Sequence, residues 1–172
     1  DDELFSVALV LAPEEPLRLA ARVGFAGMLG LSDAIGALAP PETAVHFIWP
    51  DQTLVNGAKC GAMTLAASTL DPDAEPDWLI VALKLRVANR PGVDPGENRD
   101  ETTLYDEGCQ DISVPRLIES WSRHGMVWIS RYVEVGFEPI KAEWVAKCDT
   151  IGAYANSPDG GQFEGLDDFD LV

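Results

Sequence analysis

Basic residues are scarce in this chain of 172 residues, and their scarcity limits the partners that the protein can have. Twelve Lys and Arg stand against 29 Asp and Glu, which gives a formal net charge of −17. An average surface of this sign repels nucleic-acid backbones and anionic lipid. We therefore expect no nucleic-acid partner and no membrane partner, and an anion could be held only in a local basic pocket.

Cysteine and histidine are also few. Cys60, Cys109 and Cys148 form no C-x-x-C pair, and their odd number argues against a disulfide framework and against a zinc site. They indicate small buried thiols, a reducing compartment and a cytoplasmic location. His46 and His124 have no accompanying G-x-S-x-G sequence, so a serine hydrolase is not indicated. We predict no metal-binding residues.

Long apolar runs are missing as well. The longest, over residues 5–12, is far shorter than the roughly 20 residues that cross a bilayer, so we expect no transmembrane segment. The chain begins with Asp1 instead of Met, and we expect some upstream sequence to be missing. With 47% hydrophobic and 24% charged residues, the composition is that of an ordered globular domain.

What the sequence does contain is an alternation of short strands and longer helices. A strand is predicted over 5–11, a helix over 17–38, and four further strands over 44–48, 53–55, 59–66 and 78–87. Asn56-Gly57 lies between the third and fourth of these five strands and is a strong hairpin signal. A helix capped by Ser113, and a shorter one after Pro139, complete an α+β pattern.

The helices carry two patterns that we interpret as packing. Gly24, Gly27 and Gly30 recur at every third position, which predicts close backbone contact and not a phosphate-binding loop. The apolar side chains of the last two helices predict a core face. These residues are Val114, Leu117, Ile118, Trp121, Trp128, Ile129 and Tyr132 in one helix, and Ile140, Trp144, Val145 and Cys148 in the other.

The domain division follows from where these patterns end. Residues 89–100 contain two Pro and two Gly, which is typical of a surface loop. After Gly152 the apolar residues are too few to build a core. We therefore predict one domain over 1–152 and a tail over 153–172.

One segment, HFIWPDQTLVNGAKCGAM at 46–63, carries a recognisable motif. It resembles the centre of the biotin and lipoate protein ligase family, where a Trp-Pro-Asn-Asp turn, a short strand, a Val-Asn-Gly hairpin and a Lys followed closely by Gly come in this order. Residues 4–13, 102–105 and 136–144 look like flanking parts of the same module. The resemblance thus covers about 4–152.

The resemblance implies a fold, an activity and partners. The fold is that of class II aminoacyl-tRNA synthetases, with a mixed or antiparallel sheet flanked by helices. The activity is ATP-dependent conversion of the biotin or lipoate carboxylate to an acyl-adenylate, followed by acyl transfer to a lysine of a biotin carboxyl carrier or lipoyl domain. ATP is the implied cofactor, Mg²⁺ is left open, and a homodimer is among the assemblies that the resemblance allows.

The resemblance also assigns site residues. Lys59, directly after the Asn56-Gly57 turn, becomes the candidate catalytic cation. Carboxylate and phosphate repel each other, so an ammonium group fixed where they meet stabilises the encounter and the charge that develops in transfer. Trp49 and Pro50 would shape the wall of the ligand site, and Asn56 and Gly57 would form its turn.

Three residues depart from the family motif near Lys59. Asp51 and Gln52 stand where the family has Asn and Asp. Gln52 cannot act as an anion, although Asp51 could supply the carboxylate from one position earlier. Gly61 follows the lysine one residue early.

A further departure lies in the strand over 78–87, where the family has Gly, Gly and Asn. Ala82, Lys84 and Arg86 correspond to these, and their alternate positions place them on one face. Two cations then stand where a neutral bicyclic ring would lie. Three interpretations stay open: an anionic ligand, held by a non-catalytic binding relative; a filled, inactive site; or a face that has become solvent-exposed.

The resemblance places two family elements at the chain ends. The Gly-Arg-rich loop that closes over the ligand would lie upstream of Asp1. Residues 161–167 look like the first strand of the small β-barrel domain that often follows the ligase module.

Overall fold

The computed structural model describes residues 3–88 and 100–149. Most of the predicted loop over 89–100 and the whole tail over 153–172 lie outside these residues, so the domain division stays a prediction. Nine elements follow one another within these described residues. They are β1 (Glu3–Leu11), α1 (Leu17–Ala20), α2 (Val23–Gly36), β2 (Val45–Ile48), β3 (Gln52–Val55), β4 (Ala58–Ala67), β5 (Leu79–Ala88), α3 (Val114–Val135) and α4 (Glu138–Ala146).

The strands form one antiparallel sheet with the order β1-β5-β4-β3-β2. This confirms the α+β prediction and all five predicted strands. The β3–β4 hairpin turns at Asn56 and Gly57, whose φ angles of 49° and 90° lie in the left-handed region that Asn and Gly tolerate best.

Helices cover only one face of the sheet in the described part of the chain. Alternate residues of β5, from Leu79 to Val87, are buried because α2 packs on that face, while α3 and α4 pack against α2. The other face carries exposed side chains, most of them small or polar. They include Ser6, Ala8, Val10, Thr64, Ala66 and Lys84.

The first helix is shorter than predicted and is divided in two. The amides of Arg22, Gly24 and Phe25 donate to carbonyls three residues earlier, which tightens the chain between α1 and α2 into a 3₁₀ turn. The combined stretch Leu17–Gly36 is long and apolar enough to cross a membrane by length and composition, and 78% of it is buried inside the fold. The expectation of no transmembrane segment rested on uninterrupted apolar runs and stays a prediction.

Two of the three helical glycines are sites of close packing, as predicted. A Cβ atom on Gly24 would lie 2.6 Å from Met63 Sδ, and one on Gly30 would lie 2.5 Å from the Cα of Gly125 in α3. Gly27 differs, because a Cβ there would make only ordinary van der Waals contacts.

The predicted apolar face of α3 packs against the core except at one position, with two residues buried and four partly buried. Leu117 and Trp121 are buried, and the Trp121 indole N–H donates to the Gly27 carbonyl over 3.1 Å. The prediction for Ile118 was wrong, since 37% of this residue is exposed. Ile118 lies 100° around the helix from Leu117, so it lies at the edge of the face of α3 that packs on the core.

Candidate functional site

A cleft of about 320 Å³ opens beside β4 and β5 on the face of the sheet that the helices leave uncovered. This volume is within the range of small-molecule sites. Three cations and two carboxylates are among the lining residues. The lining consists of Leu4, Asp51, Gln52, Lys59, Cys60, Gly61, Ala62, Lys84, Leu85, Arg86 and Glu101.

A β-bulge turns Lys59 into this cleft. Thr53 pairs with Gly61 and Leu54 pairs with Lys59, so Cys60 is an extra residue in β4. In an uninterrupted strand, Lys59 and Ala62 are three positions apart and would point to opposite faces. With the bulge, both line the cleft, and the buried Cys60 between them is part of the cleft wall.

Lys84 and Arg86 enter the cleft from the neighbouring strand. They alternate with the buried residues Leu83, Leu85 and Val87 of β5, so they share the open face, as the alternation predicted. The structure therefore brings both cations to the cleft that Lys59 lines.

The three cations differ in their partners. The Arg86 guanidinium donates to a Glu101 carboxylate oxygen over 2.8 Å, and both side chains are more than one third exposed. Lys59 and Lys84 are exposed, and within 3–88 and 100–149 neither amine makes a hydrogen bond or an ion pair. Two ammonium groups are thus available to an anion.

The segment that begins at Asp100 contributes to one wall of the cleft. The amide of Lys59 donates to the Asp100 carbonyl, and the Lys59 carbonyl accepts from the Thr102 amide, each over 2.9 Å. A parallel bridge thus joins Lys59 to Glu101. Hydrogen bonds thus fix both the amide and the carbonyl of Lys59, so its side chain extends from a fixed Cα position.

Gln52 contributes a buried acceptor that has no partner. Its Oε1 atom is inaccessible to solvent and accepts no hydrogen bond in the described structure. An unsatisfied buried carbonyl costs about 1–3 kcal/mol. Because Gln52 lines the cleft, a ligand that brings a donor to this atom would recover that cost.

Four predicted site residues do not line the cleft. Trp49 stacks on Phe25 with ring centroids 5.8 Å apart and meets Trp144 edge-on at 6.1 Å, on the helix side of the sheet, and Pro50 follows it. The Asn56 Oδ1 accepts from the Ala44 amide. Contact of Trp49, Pro50, Asn56 or Gly57 with a ligand stays a prediction.

Asn56 instead belongs to a chain of hydrogen bonds that supports the cleft wall. The side-chain nitrogen Nδ2 of Asn56 donates to the Glu107 carboxylate oxygen Oε2 over 2.8 Å. The Thr102 hydroxyl donates to the other oxygen of that carboxylate, Oε1, over 2.6 Å. The hairpin turn is therefore tied to the segment that pairs with Lys59.

Sequence reasoning missed five lining residues, of which Glu101 matters most. It pairs with Lys59 across a long sequence separation, which no local pattern signals. Leu4, Ala62 and Leu85 are ordinary strand residues. Cys60 is in the cleft wall, but burial raises the pKa of its thiol to about 12, so it is a poor nucleophile at neutral pH.

A metal site is not evident in the structure described. Within 3–88 and 100–149, no group of three or more His, Cys, Asp or Glu side chains could hold a metal ion. Asp51 and Glu101 are the two carboxylates of the cleft, and Glu101 is engaged by Arg86.

The sequence and structural comparisons agree on one family. Residues 1–146 match the model of the Biotin/lipoate A/B protein ligase family, and the chain belongs to that family. The biotin--[acetyl-CoA-carboxylase] ligase of Paracoccus denitrificans is 26% identical over 170 residues, covering 95% of this chain and 70% of that protein.

Solved structures show the same architecture. A biotin protein ligase-like protein of unknown function from Silicibacter sp. TM1040 superimposes with a TM-score of 0.84 at 46% identity, over 96% of this chain and 71% of that one. The biotin protein ligase of Aquifex aeolicus gives 0.69 at 19% identity, over 86% and 62%. That enzyme has also been solved in complex with biotin and ATP.

Proposed function

We propose that this chain is the ligand-binding core of an ATP-dependent ligase of the biotin and lipoate type. One observation carries the proposal: a bulge turns Lys59 into a cleft of ligand size, where its amine has no partner among the described residues. A cation fixed by backbone pairing is what the joining of a carboxylate to a phosphate requires.

The proposed reaction has two steps. A carboxylate oxygen of biotin or lipoate attacks the α-phosphorus of ATP, the bond to pyrophosphate breaks, and an acyl-adenylate forms. The amine of a carrier-protein lysine then attacks the acyl carbon and releases AMP. Lys59 reduces the repulsion in the first step and stabilises charge on the phosphate oxygens in both.

The cleft residues suit a nucleotide substrate. Lys59 and Arg86 supply positive charge for phosphate. Asp51 is a carboxylate that could hold Mg²⁺, and the ion would neutralise phosphate charge there. Family membership supports a biotin carboxyl carrier or lipoyl domain as partner. Cytoplasmic location and a homodimer remain proposals.

A second candidate is favoured by the arrangement of the same cleft. Lys84 and Arg86 line it together with Lys59, whereas Trp49 does not. This arrangement also suits a non-catalytic protein that binds an anionic small molecule. Both the ligase and the non-catalytic binding protein would bind an anion in this cleft. Only the ligase would also convert its substrates.

Pyrophosphate exchange separates the two candidates. The full-length protein is titrated calorimetrically with biotin, lipoate, octanoate and ATP, and exchange of labelled pyrophosphate into ATP is measured with each acid. We expect acid-dependent exchange that Lys59→Met abolishes and Lys141→Met preserves, because Lys141 lies in α4 outside the cleft lining. Binding without exchange would establish the second candidate, and equal exchange in Lys59→Met would remove Lys59 from the mechanism.

A further inference from the structure

Lysine is concentrated in the cleft of a chain that has little of it. The sequence contains four lysines, and two of them, Lys59 and Lys84, line this one cleft. Carboxylates outnumber cations more than twofold in the chain, yet neither amine is paired with one in the described structure. Unpaired cations in a concave site create a local positive potential.

The two ammonium groups start from well-separated points. Lys84 pairs with Ala62 across β4 and β5, and Lys59 precedes Ala62 by three residues. One strand spacing and three residues of bulged strand place the two Cα atoms about 10 Å apart. Amines that extend in parallel from these two points can each meet a separate anionic group.

The residues paired with Lys84 in the sheet carry no negative charge, and the carboxylates among the described cleft residues are Asp51 and Glu101, of which Glu101 is engaged by Arg86. The neighbours of Lys84 in the sheet are Ser6 on β1 and Ala62 on β4, and Ala62 pairs in turn with Gln52 on β3. Short side chains beside Lys84 leave its amine open. Gln52 is the last residue of this row of cross-strand neighbours, and its buried Oε1 atom accepts no hydrogen bond in the described structure.

A neutral ligand body would be penalised at this position. It would cover the Lys84 ammonium, remove water from it and return no compensating charge. A ligand group with negative charge reverses that balance, since a charge-assisted hydrogen bond replaces the lost water.

We infer that the acyl ligand of this cleft is a diacid, with one carboxylate at Lys59 and a second, distal carboxylate at Lys84. This inference rests on the proposed function, because it takes the first carboxylate to be the one that is activated. Lys84 thereby becomes the residue that determines which acid is accepted.

The test compares acids that differ only in the distal charge. Adipate and hexanoate have chains of equal length, and each is titrated into the full-length protein by calorimetry in the presence of ATP. We expect adipate to bind about twofold to fivefold more tightly than hexanoate, since its second carboxylate gains an ion pair with the exposed Lys84 ammonium. Lys84→Met should abolish this preference and should raise hexanoate affinity, because hexanoate no longer covers an ammonium group. Lys141→Met should preserve the preference.

Three other outcomes are informative. Equal affinity for adipate and hexanoate in the wild type overturns the inference, while Lys59-dependent pyrophosphate exchange with a monoacid would still uphold the proposed function. Weaker binding of ATP alone in Lys84→Met, with the adipate preference intact, assigns Lys84 to phosphate and also overturns it. Failure to bind ATP and any of these acids overturns both proposals.

Discussion

Gly61 lies so close to Lys84 that a Cβ atom on Gly61 would collide with the Lys84 carbonyl oxygen and would approach Leu85 Cδ1 to 2.8 Å. Gly61 is also the residue next to the bulge that turns Lys59 into the cleft. The lack of a side chain at Gly61 therefore allows β4 to pair closely with β5. This pairing brings Lys59 and Lys84 to the same cleft.

Replacement of Gly61 tests this relationship. Gly61→Ala should lower the free energy of unfolding by about 1–3 kcal/mol, because backbone must shift to admit the methyl group. Urea denaturation measures the change. The matched control is Gly36→Ala at the end of α2, where a Cβ meets nothing within 4 Å and the change should be neutral or stabilising. Equal effects of the two substitutions would contradict the close contact.

The Asn56 turn should stabilise the cleft wall as well as the hairpin. Asn56→Ala removes hydrogen bonds to the Ala44 amide and to Glu107 and places a Cβ-bearing residue at a φ of 49°. We expect a loss of about 1–2 kcal/mol in urea denaturation. Asn56→Gly should lose less, because glycine accepts the positive φ. A larger loss for glycine than for alanine would show that backbone conformation is not the cause.

Glu101 should weaken anion binding by occupying Arg86. Glu101→Gln removes the charge that pairs with the guanidinium, and exposed pairs are worth about 0.2–1 kcal/mol. ATP affinity, measured by calorimetry, should therefore rise by about twofold to fivefold. Glu119→Gln is the control, since Glu119 pairs with Arg123 on the surface of α3, and it should change nothing. Unchanged affinity in Glu101→Gln would place Arg86 outside the anion site.

Stability should decline in alkaline solution through Cys60. Burial raises the pKa of this thiol from 9.0 to about 12, so above pH 9 the unfolded chain loses the proton first. The free energy of unfolding should be insensitive to this group below pH 9 and should fall between pH 9 and 12 by up to about 1.4 kcal/mol per pH unit. Burial also raises the pKa values of Cys109 and Cys148, which adds to the fall.

Urea denaturation from pH 8 to 11 measures this dependence. Cys60→Ala removes the titrating group, so its curve should fall less steeply than that of the wild type. Parallel curves for the two proteins would show that the Cys60 thiol is not protected from ionisation in the folded state.

Local sequence patterns predicted much of the fold. Period-two alternation located β5, and Asn56-Gly57 located the hairpin, because both signals depend on neighbouring residues. The α1–α2 region was less predictable: its apolar residues indicate a helix, but the 3₁₀ turn after Ala20 depends on hydrogen-bond geometry that its composition does not encode.

The candidate site was predicted in part. Lys59, Lys84, Arg86, Asp51, Gln52 and Gly61 line one cleft, and all six came from the family motif or from departures from it. Trp49 was expected beside them and instead packs with Phe25 and Trp144. Glu101 could not be foreseen, because its salt bridge forms across a sequence separation of 15 residues.

The sequence by itself determined the α+β class, the strand positions, the hairpin and the resemblance to the ligase family, since these depend on composition, periodicity and residue order. Only the tertiary structure decided that Lys59 and Lys84 share a cleft and that Trp49 does not join them. The physical reason is strand register. One extra residue in β4 changes the face of the sheet on which the side chains before it lie. The extra residue can be identified only from the pairing of β4 with β3.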